Sequence, residues 1–135
     1  MKAGNYSTWC EIDVGAVKRN LGVVKRQIRG AKLCYVVKAD AYGFGSRRMI
    51  SAAEATGHVD SYAVADIGEA AELRDFCDKP ILVFRNPIPS QLEDFVKHDC
   101  SMTLTELSIM PAIKAISLKC GRKIPLHIKI DSGLG

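Results

Sequence analysis

Five short β-rich runs (AKLCYVV, SYAVAD, PILVF, SMTLT and IPLHIKI) recur along this chain with helix-patterned segments between them. Strand and helix in strict alternation imply βα units and a parallel sheet. The helical segments carry their own start and stop signals. GSRRMISAAEATG offers Ser46 as an N-cap and Gly57 as a stop. DIGEAAELRDFC offers Asp66 as a cap, with Glu69 three residues on in the pattern of a capping box. PSQLEDFVKH opens on Pro89 and Ser90 and carries Leu92, Phe95 and Val96 at helical spacing. In TELSIMPAIKAISLKCG, Pro111 belongs in a first turn or marks a kink. Ahead of all these, EIDVGAVKRNLGVVKRQIRG reads as a short strand leading into an amphipathic helix closed by Gly30.

Two architectures take this pattern: an open doubly wound sheet, or part of a (β/α)8 barrel. A whole barrel needs about 250 residues, so 135 residues supply only a little over half of one. The sequence stops at IDSGLG, directly after the fifth strand run. That favours the N-terminal portion of a TIM-type barrel, about five βα units, with later strands missing. The expectation is therefore one partial domain over residues 1–135. Its last strand would expose unpaired backbone groups, so self-association along that edge is expected as well.

Composition excludes several classes. A chain that is 47% hydrophobic and 25% charged is of ordinary globular type. The net charge of +4 is modest, and no basic stripe is interleaved with aromatics, so a nucleic-acid partner is not expected. No apolar run approaches the ~20 residues that span a bilayer, and the N-terminus has no apolar leader segment. Cytoplasmic residence is the expectation. The five cysteines (10, 34, 77, 100 and 120) lie far apart with no C-x-x-C pair. They read as reduced thiols, with Cys34, Cys77 and Cys120 acting as small hydrophobes, and no metal site is expected.

In either architecture, chemistry collects at the C-terminal ends of the parallel strands. Lys38, in YVVKADAYGFG, stands at such an end, followed by Tyr42 and two glycines. So do His127, Lys129 and Asp131 in LHIKIDSGLG. Alternation puts Leu126, Ile128 and Ile130 on one face and the three ionisable residues on the other. A strand covered on both faces should be apolar on both, so the charged face asks for an explanation. If the apolar face meets helices, the charged face points into the barrel with Lys38.

An amine at the mouth of an apolar site loses hydration, its pKa falls, and it becomes a nucleophile or base. Such a lysine can form a Schiff base with pyridoxal phosphate. On position alone, Lys38 reads more readily as a solvated strand cap, and Lys129 with Asp131 equally well as a structural ion pair. His127 reads as a core histidine and Tyr42 as a packing aromatic. GFGSRR lacks the third glycine of a dinucleotide fingerprint, and no Gly-Lys-Ser/Thr ending marks a P-loop.

VVKADAYGFG closely resembles the pyridoxal-phosphate lysine signature of the alanine racemase family, the fold-type III enzymes. TWCEIDVGAVKRNL is similar to that family's opening segment, YAVADIGEAAELRD to its second βα unit, and LHIKIDSGLG to its K-x-D-T-G-M-G motif. The resemblance runs along essentially the whole chain. It implies the N-terminal part of the family's barrel and a racemase of a small amino acid, alanine first, supplying D-alanine to cell-wall precursors. It implies that Lys38 holds pyridoxal phosphate and serves as one of two Cα bases, and that Tyr42 contacts the cofactor phosphate. Lys129 matches a lysine carbamylated in some members, with Asp131 beside it. The family is homodimeric, and its second base is a tyrosine from a C-terminal β-domain of the partner subunit. That domain, and the arginine expected just after Gly135, lie outside this sequence, so these residues alone are not expected to racemise efficiently. Phe44, Ser132 and Leu134 replace the usual His, Thr and Met, which bears on substrate identity. A serine racemase of the same family, a fold-type III decarboxylase, and a non-enzymatic pyridoxal-phosphate-binding module are the alternatives. The DAYG run argues against the decarboxylases.

Overall fold

A computed structural model describes residues 7–133. Leu134, on which one departure from the family motif falls, and Gly135 lie outside the described residues. All five β-rich runs form strands: β1 (Cys34–Val36), β2 (Ser61–Val64), β3 (Ile81–Val83), β4 (Cys100–Leu104) and β5 (Leu126–Ile128). They make one parallel sheet in the order β1-β2-β3-β4-β5. Strand order equal to chain order is the arrangement of a barrel wall and excludes the doubly wound alternative, in which the order reverses.

The helices are α1 (Val14–Gln27), α2 (Lys38–Tyr42), α3 (Ser46–Glu54), α4 (Ile67–Arg74), α5 (Leu92–Lys97) and α6 (Met110–Cys120). Their apolar faces cover one side of the sheet. Alternate strand residues point to that side: Tyr62 and Val64, Ile81 and Val83, Cys100, Met102 and Leu104. They meet Ile50 and Ala53 of α3, Ala70 and Leu73 of α4, Leu92 and Phe95 of α5, and Ile113 of α6 in one continuous core. Each large side chain buried there contributes about 1.5–3 kcal/mol.

Several start and stop signals act differently from expectation. Residues 11–13 form no strand; Asp13 caps α1 instead, its Oδ1 accepting the Ala16 amide at 3.0 Å. α1 ends at Gln27, three residues ahead of Gly30. α3 has Gly45 at its N-cap position with no side-chain cap, so Ser46 is the first helical residue, and its amide donates to Asp40 Oδ1 at 2.7 Å. The same helix ends at Glu54, and Gly57 follows in a turn at φ +64°. Pro111 sits in the first turn of α6 and causes no kink.

Three polar contacts fix the spacing of these layers. Arg74 donates to the carbonyls of Cys77, Lys79, His98 and Asp99, so one guanidinium closes the chain segments around α4 and α5. Asp60 Oδ2 accepts from Lys25 Nζ and from the Leu33 amide, both at 2.7 Å, tying α1 and the start of β1 to β2. The Lys25 ammonium and that amide hold the Asp60 carboxyl below its ordinary pKa. Thr103, 5% exposed, donates its hydroxyl to Val83 O at 2.6 Å.

Cysteine placement follows the layers. Cys77 and Cys100 are buried under the helices, whereas Cys34 is exposed, because its side chain lies on the opposite, uncovered face of β1. No helix among the described residues is long and apolar enough to cross a membrane. No group of His, Cys, Asp or Glu there has the arrangement of a metal centre.

Candidate active site

The uncovered face of the sheet carries the ionisable residues. Register pairs Val36 with Ala63, Ala63 with Leu82, Leu82 with Ser101, and Thr103 with His127, a row of small and medium side chains. At the carboxyl end of that row lies an open cavity of about 470 Å³, lined by Lys38, Leu82, Phe84, Thr103, His127, Ile128 and Lys129. The structure thus brings Lys38, His127 and Lys129 together at the ends of strands about ninety residues apart in sequence.

The local path explains why Lys38 points there. Val37 is buried and its amide donates to Ala63 O at 2.8 Å, the last bond of the β1–β2 ladder. The chain then leaves the sheet through α2, which is left-handed. Ala39, Asp40, Ala41 and Tyr42 have φ of +51°, +49°, +54° and +58°. Left-handed backbone costs an L-residue about 1–2 kcal/mol, so four in succession require outside support. Within the turn, Ala41 N donates to Val37 O and Gly43 N to Ala39 O, both at 2.9 Å. Gly43 and Gly45, at φ +83° and +89°, complete the reversal in conformations that glycine tolerates. Asp40 anchors the far end through Ser46 N, and that amide holds its carboxyl below the usual carboxylate range. At the near end, Glu69 Oε1 accepts the Ala39 amide at 2.8 Å while Oε2 accepts Ala65 N at 2.7 Å.

Other sequence candidates fall in different places. Tyr42 is 59% exposed and not a packing aromatic; its ring centre lies 6.0 Å from Lys38 Nζ, beside the cavity and not in its lining. His127 is exposed on the open face and is not the core histidine expected. Asp131 does not pair with Lys129; its Oδ1 accepts the Gly133 amide at 2.8 Å in a local turn. Sequence reading passed over Phe84 and Thr103, though alternation along PILVF and SMTLT puts both on the inner face. It also assigned Glu69 to a capping box. Asp66 does cap α4 by accepting Glu69 N at 3.1 Å, but the Glu69 carboxylate reaches to the amides of Ala39 and Ala65, just past the ends of β1 and β2.

The lining suits a flat, anionic, aromatic aldehyde. One primary amine opens into the cavity, Phe84 and Leu82 give it an apolar wall, and Lys129 adds a second cation. Pyridoxal phosphate has that chemistry, so the residues present fit the group the sequence implied.

Comparison with known proteins identifies the family. The family model described as "Alanine racemase, N-terminal domain" matches residues 12–135. An alanine racemase of Caldanaerobacter subterraneus subsp. tengcongensis is 37% identical over 134 residues, covering 98% of this chain and 34% of that protein. One from Methanococcus maripaludis is 36% identical over 132 residues, covering 96% of this chain and 35% of that protein. The solved alanine racemase of Clostridium difficile 630 in complex with cycloserine superposes with a TM-score of 0.88 at 34% identity, covering 98% of this chain and 36% of that one. The chain spans about a third of the length of the curated relatives it matches.

The left-handed turn yields a direct test. Ala39 is exposed at φ +51°, so Ala39→Gly relieves strain and removes no packing. Urea denaturation is expected to show a gain of about 0.5–1 kcal/mol, the relief less glycine's added backbone entropy. A loss of stability would mean that Ala39 is not held left-handed.

Proposed function

We propose, from the premise that this chain belongs to the family of alanine racemase N-terminal domains, that it is the lysine-bearing part of a pyridoxal-phosphate-dependent alanine racemase. The observation that carries the proposal is the cavity whose lining brings Lys38 together with Phe84, His127 and Lys129 at the ends of parallel strands.

In this reading Lys38 holds the cofactor through its amine and later moves a proton at the substrate's Cα, on the face from which it approaches. The cofactor, when bound, draws off the electron pair left at Cα, which is why one weak base on each face suffices. Leu82 and Phe84 exclude water along one wall. As a free ammonium, Lys129 supplies positive charge toward the cofactor's anionic groups; carbamylated, it would present a negative carbamate there instead. Tyr42 carries a phenol close to Lys38 and can donate to a phosphate oxygen. Asp131 acts at a distance, by shaping the turn after Lys129 through Gly133. The second base, on the opposite face, belongs to the remainder of the racemase, as does the homodimer.

β5 pairs with β4 on one side only among the described residues, and Ile128 at its end and Ile130 just beyond are 76% and 82% exposed. Left uncovered, such an edge recruits another copy. Sedimentation of the 135-residue chain is expected to give species larger than a monomer, rising with concentration; a clean monomer at working concentration contradicts this.

For the cofactor, mixing the chain with pyridoxal phosphate, reducing with borohydride and mapping the label by mass spectrometry tests Lys38 directly. Label concentrated at Lys38, and lost in Lys38→Arg, is the expected result. Label spread evenly over the lysines would overturn the assignment.

A further inference from the structure

We infer that Glu69 is a positioning residue for Lys38: its carboxylate clamps the first amide of the left-handed turn to the end of β2 and so aims the lysine into the cavity. The inference rests on the reading of Lys38 given above, but its structural half is independent of any cofactor.

Three observations combine. The β1 ladder ends at Val37 N, and the next inward-facing amide, Ala39 N, finds no strand acceptor: the Ala65 carbonyl on the neighbouring strand already accepts Arg85 N at 2.9 Å. Ala39 is also the first residue to turn left-handed. Its amide is instead met by Glu69 Oε1 at 2.8 Å, while Oε2 of the same carboxylate takes Ala65 N at 2.7 Å. One carboxylate thus satisfies the two amides where β1 and β2 both leave the sheet. Two charge-assisted bonds to backbone from a single side chain are strong and directional. Glu69 itself is fixed by its own amide, which donates to Asp66 Oδ1 as part of the α4 cap. The helix that covers the sheet therefore holds the backbone on which Lys38 is mounted. Glu69 does not line the cavity, so its effect on the lysine passes through the chain.

Glu69→Gln keeps the shape but leaves one acceptor oxygen for two donors. Glu69→Asp keeps the charge and is one methylene too short to reach both amides, which gives a second variant should the first fold poorly. Amide exchange followed by NMR is expected to accelerate at Ala39 and Ala41 by about tenfold or more in both variants, as the loss of a charged hydrogen bond dictates. Protection at Val83 and Met102, in the sheet centre, is expected to stay unchanged. Borohydride trapping of pyridoxal phosphate is expected to fall at Lys38 by a similar factor, with labelling of the remaining lysines unaltered. Unchanged exchange at Ala39 and Ala41 in folded variants overturns the inference. So does accelerated exchange with undiminished Lys38 trapping. If the unsubstituted chain itself shows no preference for Lys38, the cofactor reading fails separately, and exchange at the turn alone decides whether Glu69 clamps it.

Discussion

The hydrogen bond from Val37 N to Ala63 O is the last rung of the β1 ladder, and what the chain does next decides where its chemistry can be. Continuing in the sheet would leave Lys38 as one more alternating side chain on a strand. Turning right-handed would fold the backbone along a different path over the sheet's end. The chain turns left-handed for four residues, a course L-residues avoid, and that course mounts Lys38 at the rim of the open face. The strain is met by bonds at both ends, Glu69 before and Asp40 after, with Gly43 and Gly45 absorbing the reversal.

The rest of the fold serves that placement. Five parallel strands in chain order deliver all their carboxyl ends to one side, so Lys38 from β1 and His127 and Lys129 from β5 share a cavity without being near in sequence. The helices bury the opposite face and provide the rigidity that keeps strand ends in register. Arg74, bonded to four carbonyls, stiffens the layer next to α4, the helix that carries Glu69. Strain, clamp and scaffold are therefore one connected arrangement.

Much of this was legible in the sequence because it depends on short-range pattern. The five strands and the parallel sheet follow from alternation, and the inward face of β5 from the spacing of His127 and Lys129. The resemblance around Lys38 named the family that the comparison then established. What was missed depends on contacts made across the chain. Glu69 looked like half of a capping box because its spacing from Asp66 fits one, and nothing local reveals that its carboxylate meets Ala39, thirty residues earlier. Ser46 looked like a cap because serine is common just ahead of a helical run, and no periodicity reports the left-handed turn that puts Gly45 in that position instead. The core reading of His127 fails because the face it occupies, which alternation shares with Lys129, is the open one.

The central claim is spatial: Lys38 and Lys129 line one cavity, brought there by the turn after β1 and the pairing of β5 with β4. Cross-linking with a short bifunctional amine reagent, mapped by mass spectrometry on the chain at low concentration, tests it most directly. The account predicts that Lys38–Lys129 is the dominant intramolecular product of Lys38. If Lys38 and Lys129 are each labelled singly and never joined, the two lysines do not share a site and the account is wrong.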